Sequence, residues 1–435
     1  MGVKGLARWT MGYFMAAYGS FLLAQLLLVS GQTFPAAPLA SPWTLAAVHL
    51  ITIGWLTLLM LGALGQFLPV ITATSPRGHG LYLAGLILIL LGLLGMETGF
   101  LSLGSGALWL PLGGLAVFAG ITLDLATLVP PLWHTRPLPF AAKFLVGALA
   151  GLFLTLGLGI ALALGLVWPS LYTALGLGRL FTAGLLAHLT GGLGAWFTLT
   201  AVGVSYKLLA MFSLAPEERG TLGKAVLYLT TGGLALVLLG ALVSLLAGLE
   251  AYHLVWLGWA VAALGGVLYL LDMYFLFRQR KRRVLELNSV FAIFALAMMA
   301  TSGAALLLGR MFFPPLAAAA LYLFLFGWLS GLGLSQLYKI VPFLTWVERY
   351  GKRLGKGPVP RVQDLVQEKR ARPWFLGYFL AVFLAFCFLA AEIPLGYQVS
   401  QGAALLTSVL IGREIWRSRK EESVVAQERR FAHHG

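Results

Sequence analysis

Apolar residues run through this chain in blocks separated by short polar connections. Windows with few charges lie at residues 9–31, 43–70, 80–102, 106–130, 140–167, 178–212, 222–247, 252–277, 288–309, 314–345, 373–393 and 395–416. About 20 apolar residues in a helix, rising ~1.5 Å each, cross the ~30 Å hydrocarbon core of a bilayer. The pattern therefore predicts an all-α, polytopic membrane bundle of about twelve transmembrane helices. The second, sixth and tenth windows are long ones, and they share a motif.

That motif is fullest at residues 48–70, VHLITIGWLTLLMLGALGQFLPV. Aligned on tryptophan, Gly54-Trp55 corresponds to Ala195-Trp196 and to Gly327-Trp328, with spacings of 141 and 132 residues. Seven positions on come Gly62, Gly203 and Ser335; ten on, Gly65, Tyr206 and Tyr338; eleven on, Gln66, Lys207 and Lys339. Pro69 and Pro342 close the first and third copies, where the second has Ala210. A period this long fits four membrane helices rather than a solenoid unit. The chain reads as one membrane domain, 1–435, of three four-helix pseudo-repeats at about 1–135, 136–285 and 286–416, with a cytoplasmic tail at 417–435. The extended polar pieces, 347–372 and 417–435, are too short for a folded domain.

Composition sharpens this. With 60% hydrophobic and 10% charged residues and a mean hydropathy of +0.89, no soluble fold could hide the apolar surface. The 53 glycines suit close helix approach in lipid. The net charge of +15 is an orientation signal rather than a mark of nucleic-acid binding: with both termini inside, Arg179 and Arg310 lie outside and the other 28 of 30 basic residues lie at the cytoplasmic side. The implied location is a bacterial-type cytoplasmic (inner) membrane, with some attraction to anionic lipid. The N-terminal segment lacks a small-residue cleavage site and is expected to be the first helix. A single cysteine, Cys387, excludes a disulfide framework, a thiolate zinc cluster and a CxxCH heme attachment site.

Of seven histidines, His49 and His188 sit well inside apolar windows. With helices two and six running from outside to inside, they lie about 9 and 15 Å into their spans. An imidazole at such depth needs a metal or a polar partner, so each is either a ligand or a histidine hydrogen-bonded to a carbonyl or water. The repeat aligns His49 with Thr190 and Tyr322, and His188 falls two residues earlier on its helix, a turn of about 200°. The two are not a symmetric clamp.

Twelve helices, an internal threefold repeat and histidines on the outer parts of helices two and six resemble subunit I of the heme-copper oxidases. The H-L-x-x-x-G-W-x6-G-x5-L-P run from His49 to Pro69, WFTLTAVGVSYKLLAMF at 196–212 and GWLSGLGLSQLYKIVPF at 327–343 are more similar to divergent members of that superfamily, including NnrS-like heme and copper proteins linked to nitric oxide. The resemblance implies that His49 matches the low-spin heme ligand and His188 the copper ligand. Two departures matter: helix ten contains no histidine, and helix seven, 222–247, lacks the paired copper histidines. A complete oxygen-reducing site is not supported, so copper is a minor expectation. What remains is a b-type heme with an open or unusual second position, for which Tyr322 is the oxygen donor to consider, and a diatomic ligand such as nitric oxide.

Arg179 and Arg310, each just before a motif helix, are either partners for heme propionates or arginines snorkelling to outer phosphates; His253 is an ordinary interfacial histidine or could join them. Asp124, Asp272 and Glu414 recur near the inner ends of helices four, eight and twelve, opposite Gln66, Lys207 and Lys339. Ion pairs stapling the bundle are expected, Lys207 with Asp272 among them, with a proton path as the alternative. Tyr206 and Tyr338 read as interfacial anchors, and Glu97, Glu250 and Glu392 as solvated residues at outer helix ends. His433 and His434 are terminal and carry no role. The alternative to heme binding is a heme-free multi-pass carrier or respiratory-complex assembly factor, against which inner-end prolines argue mildly. The lipid bilayer is the one partner the sequence names; a partner subunit or homo-oligomer is not specified by it.

Overall fold

The computed structural model describes residues 2–72, 79–104, 106–135, 137–217, 219–355 and 359–420. It is all-α, with no strand among the described residues. Nine long helices are uninterrupted: α1 (Gly2–Val29), α3 (His79–Leu101), α4 (Trp109–His134), α5 (Phe140–Val167), α7 (Gly220–Leu246), α8 (Tyr252–Arg278), α9 (Leu287–Met311), α11 (Glu368–Ala390) and α12 (Pro394–Arg417). Their lengths, 23 to 28 residues, exceed the ~20 needed to cross a bilayer.

The other three long runs carry the tryptophan motif, and each changes its winding in the middle. Run α2 goes from Pro42–His49 through a π-helical segment, Leu50–Thr57, into Leu58–Thr72. In α6, Ala183–Leu189 passes through Thr190–Leu199 into Thr200–Ser213. In α10, Pro314–Tyr322 passes through Leu323–Ser330 into Gly331–Tyr350. π-Helix is rare and clusters at functional positions. Here it falls on Trp55, Trp196 and Trp328.

Among the described residues, eleven runs are long and apolar enough to cross a membrane. The twelfth window forms α12, 24 residues long but less apolar, because Ser400, Gln401 and Ser408 are buried on its inward face. Among the eleven, between 61% and 72% of each motif helix's apolar window is buried, against 17–44% for the others. The motif helices are thus interior elements. The rest turn leucine, phenylalanine and valine outward, as at Leu91, Leu94, Val267 and Leu380, which is what a bilayer-facing surface requires.

The chain divides into two compact units, one of Met1–Gly62 and Leu285–Gly435, the other Ala63–Val284; the division falls within α2. In the first unit, α11 packs on α12, α9 on α10, and α1 against the π segment of α2. In the second, α3 packs along α4, α7 along α8, and α5 against the π segment of α6. Two of these pairings rest on facing glycines: a Cβ on Gly92 would lie 2.6 Å from the Gly113 carbonyl oxygen, and one on Gly233 2.7 Å from that of Gly258. Small residues let backbones meet where lipid offers no hydrophobic drive.

Helix starts follow local chemistry. Pro42, Pro314 and Pro394 occupy first helical positions, where the missing N–H costs nothing. Ser41 accepts the Thr44 N–H at 3.3 Å, a side-chain cap. At the other end of α6, Leu214 takes a left-handed conformation, φ 54°. The Leu214 and Ser213 carbonyls then accept the N–H groups of Lys281 and Arg282, anchoring the basic loop that follows α8.

Candidate functional site

His49 is the last residue of α2 before the π segment and is half-buried. Its Nδ1 lies 2.8 Å from the Leu45 carbonyl oxygen. A carbonyl only accepts, so Nδ1 carries the proton and Nε2 the lone pair. His188, two residues before the π segment of α6, has the same polarity: Nδ1 is 2.9 Å from the Thr155 carbonyl oxygen of α5. Thr155 returns the bond, its hydroxyl donating to the His188 carbonyl at 3.1 Å. Gly159, one turn along α5, makes room for the ring, since a Cβ there would sit 3.0 Å from His188 Cε1. An imidazole fixed through Nδ1–H to a carbonyl is the arrangement metal-ligating histidines use; it also satisfies a buried histidine that binds nothing else.

His49 belongs to the first unit and His188 to the second. Tyr322, the residue aligned with His49, closes the first helical part of α10 and is buried. Its hydroxyl donates to Gln401 Oε1 at 2.6 Å, and its ring stacks on Phe326 at 4.7 Å and meets Tyr397 edge-on at 5.7 Å. Arg179 lies on the 3-10 turn before α6, with its guanidinium against Gly248, a glycine at φ +71°. Arg310 is exposed in the last turn of α9, and His253 is exposed in the first turn of α8. His433 and His434 lie outside the described residues. Among the described residues, no three His, Cys, Asp or Glu side chains gather closely enough to hold a metal ion.

Around Tyr322 the first unit contains a polar seam. Tyr18 donates to the Ser408 carbonyl at 2.6 Å, Gln25 to Ser408 Oγ at 3.1 Å, and Trp55 Nε1 to Ser330 Oγ at 2.9 Å. Tyr378 donates to the carbonyl of Phe326, within the π segment of α10, at 2.8 Å. Its residues sit singly in apolar windows, and such polar intrusions are a signal the sequence offers: each needs a partner in lipid.

The stapling charges are present, with different partners from those expected. Asp272 does not meet Lys207. Its Oδ1 pairs with Arg219 Nη2 at 2.9 Å and its Oδ2 accepts the Tyr206 hydroxyl at 2.9 Å, with the ionic side chains only 2% and 4% exposed. Lys207 turns instead to Glu217 in the following loop, where both are wetter. The reason is reach: Arg219 immediately precedes α7, which packs along α8, the helix of Asp272. The third repeat repeats the theme, with Glu414 on α12 pairing with Arg370 near the start of α11 at 2.9 Å and with Arg417 at 3.5 Å. Lys339 pairs with Glu286, at the start of α9. Asp124 is fully buried, and its Oδ1 lies where a Cβ on Gly85 would be, 2.0 Å away.

Three further expectations need correcting. Tyr206 and Tyr338 are 2% and 3% exposed and sit in aromatic clusters with Phe140, Phe144 and Tyr269, and with Phe375; they are core residues, not surface anchors. Glu97 is not solvated, since its Oε1 is buried, whereas Glu250 and Glu392 are exposed as expected.

No protein-family model matches the chain, and no curated protein is significantly similar to it. The geometry therefore stands by itself: a multi-pass helical membrane protein whose two intramembrane histidines are both oriented by backbone carbonyls.

Proposed function

We propose that this chain is a heme-copper-oxidase-like membrane protein that binds a b-type heme and a small diatomic ligand such as nitric oxide, without reducing oxygen. The observation that carries the proposal is the 2.8 Å contact of His49 Nδ1 with the Leu45 carbonyl oxygen, which in the neutral ring places the proton on Nδ1 and the lone pair on Nε2. The donor chemistry fits an imidazole that would hold a heme iron. His49 would hold the iron, with Arg310 of the same unit suited to an outward carboxylate, while His188 and Arg179 belong to the second unit. Tyr322 is a poorer second ligand, because its hydroxyl would have to leave Gln401. When bound, a ferrous heme with one protein ligand supplies an open position for a diatomic gas. The chain's own residues orient the imidazole and surround it with lipid-facing and apolar helices.

The test is optical. Detergent-purified protein should show the Soret band of a noncovalent b-type heme, and reduced protein should bind carbon monoxide. His49→Ala should abolish the band while the protein stays folded and membrane-inserted; His188→Ala should alter the spectrum without removing all heme. A colourless preparation after growth with heme precursor would displace this reading in favour of the heme-free carrier.

We also propose the inner-membrane orientation with both termini in the cytoplasm, supported by the distribution of Lys and Arg. In a Cys387→Ala background, Ser170→Cys, exposed on the short helix Pro169–Ala174, should react with a membrane-impermeant thiol reagent added to intact cells. Reaction only after permeabilisation would reverse the orientation.

A further inference from the structure

The internal repeat supplies its own control for one region, the inner end of the first unit. In the second repeat Tyr206 is satisfied: it donates to Asp272, and Arg219 holds that carboxylate. In the third repeat the aligned Tyr338 is just as buried, at 3% exposure, yet its hydroxyl has no hydrogen-bond partner among the described residues. Glu414, where the second repeat has Asp272, is taken by Arg370 and Arg417 instead. The second residue of α5 is Ala141, whereas the second residue of α9 is Asn288. Asn288 is 1% exposed, and among the described residues neither its Oδ1 nor its Nδ2 has a hydrogen-bond partner.

These unspent groups line the same cavity. Its walls include Asn288, Tyr338, Lys339 and Glu286, together with Val362 and Gln363 of the segment before α11. That segment is tied down by Gln363 donating to Glu286 and by Trp346 Nε1 donating to the Pro360 carbonyl at 2.5 Å. On the opposite wall Glu368 accepts the Leu287 N–H at 3.2 Å, so the first turn of α9 is capped from α11. The space open to the centre of a water-sized sphere is about 10 Å³, and roughly 10–15 Å³ by that measure holds one water molecule when two to four polar groups face it. Buried amides and hydroxyls are almost always hydrogen-bonded, and leaving three such atoms dry in a low-dielectric interior is unfavourable.

We infer that the inner end of the first unit binds one internal water molecule, held between the Asn288 amide and the Tyr338 hydroxyl beside the Lys339–Glu286 ion pair. The second repeat has no counterpart, because there the tyrosine is satisfied by a carboxylate and the amide is replaced by Ala141. Water fits the mixed donor and acceptor set, since Asn288 offers both kinds and the phenol either. The ligand is independent of whether heme is bound.

Two measurements test this on the full-length protein. An experimental structure that resolves ordered water should show a peak within hydrogen-bond distance of both Asn288 and Tyr338 Oη; an empty cavity, or a peak ringed by oxygens at the ~2.4 Å of a cation site, would overturn the assignment. In thermal unfolding, Asn288→Leu and Tyr338→Phe should each lower the melting temperature, and the double variant should lose less than the sum, because both side chains hold the same molecule. A melting temperature unchanged or raised in Asn288→Leu, or strictly additive losses, would mean that the amide was merely unsatisfied. Should Asn288→Leu fail to fold, the wild-type density decides alone.

Discussion

Arg219→Met is expected to destabilise the protein by about 3–5 kcal/mol, the cost of leaving one member of a buried ion pair uncompensated. Arg219 and Asp272 are almost fully enclosed, and the Tyr206 hydroxyl alone cannot neutralise the carboxylate it bonds. Adding Asp272→Asn should recover much of the loss, because the residual amide can still accept from Tyr206 while the stranded charge disappears. Lys207→Met should be mild, at most about 1 kcal/mol, since its partner Glu217 is more than half exposed and such pairs contribute little. Denaturant unfolding of the variants in detergent distinguishes the cases. A Lys207→Met loss as large as that of Arg219→Met would refute the pairing described above.

Trp55→Ala is the second large effect. Trp55 is completely buried, stacked on Phe21 at 4.6 Å, edge-on to Tyr18 at 6.0 Å, and bonded through Nε1 to Ser330. Truncating a buried tryptophan costs about 3–5 kcal/mol in water-soluble cores. In lipid the unfolded reference is itself apolar, so the loss here should come from the cavity and the stranded Ser330 hydroxyl and fall near the lower end. Trp55→Phe should retain the stack and lose less. If the alanine variant unfolds at the wild-type denaturant concentration, the π segment is not held by this contact.

The helices were legible because bilayer thickness writes itself into the length of apolar windows; even α12, whose polar face dilutes its hydropathy, was found by position. The tryptophan repeat was legible too. Its π winding was not, because shifting a hydrogen bond from four residues to five leaves no compositional mark. The intramembrane carboxylates are legible in the sequence, but their partners are not, since Arg219, Glu286 and Arg370 stand just outside the apolar windows. One clue existed: Arg77 and Arg219 follow Trp55 and Trp196 by 22 and 23 residues, but the polar stretch before α11 carries Arg370 to 42 residues after Trp328. For the histidines, depth could be read from sequence, whereas the carbonyl that fixes each ring depends on helix packing that only the fold supplies.

The winding change in α10 sets a rotational phase within a single helix. A π turn houses a residue more than an α turn, and each residue of an α-helix advances the side-chain direction by about 100°. Rewinding Leu323–Ser330 as α-helix with no residue removed would leave Tyr322 facing Gln401 while swinging Tyr338 and Lys339 by roughly that angle, away from Glu286, and removing one residue at the same time would restore their direction. The N-terminal and C-terminal halves of α10 thus keep separate alignments on one rod, and the segment around Trp328 is where that offset is stored.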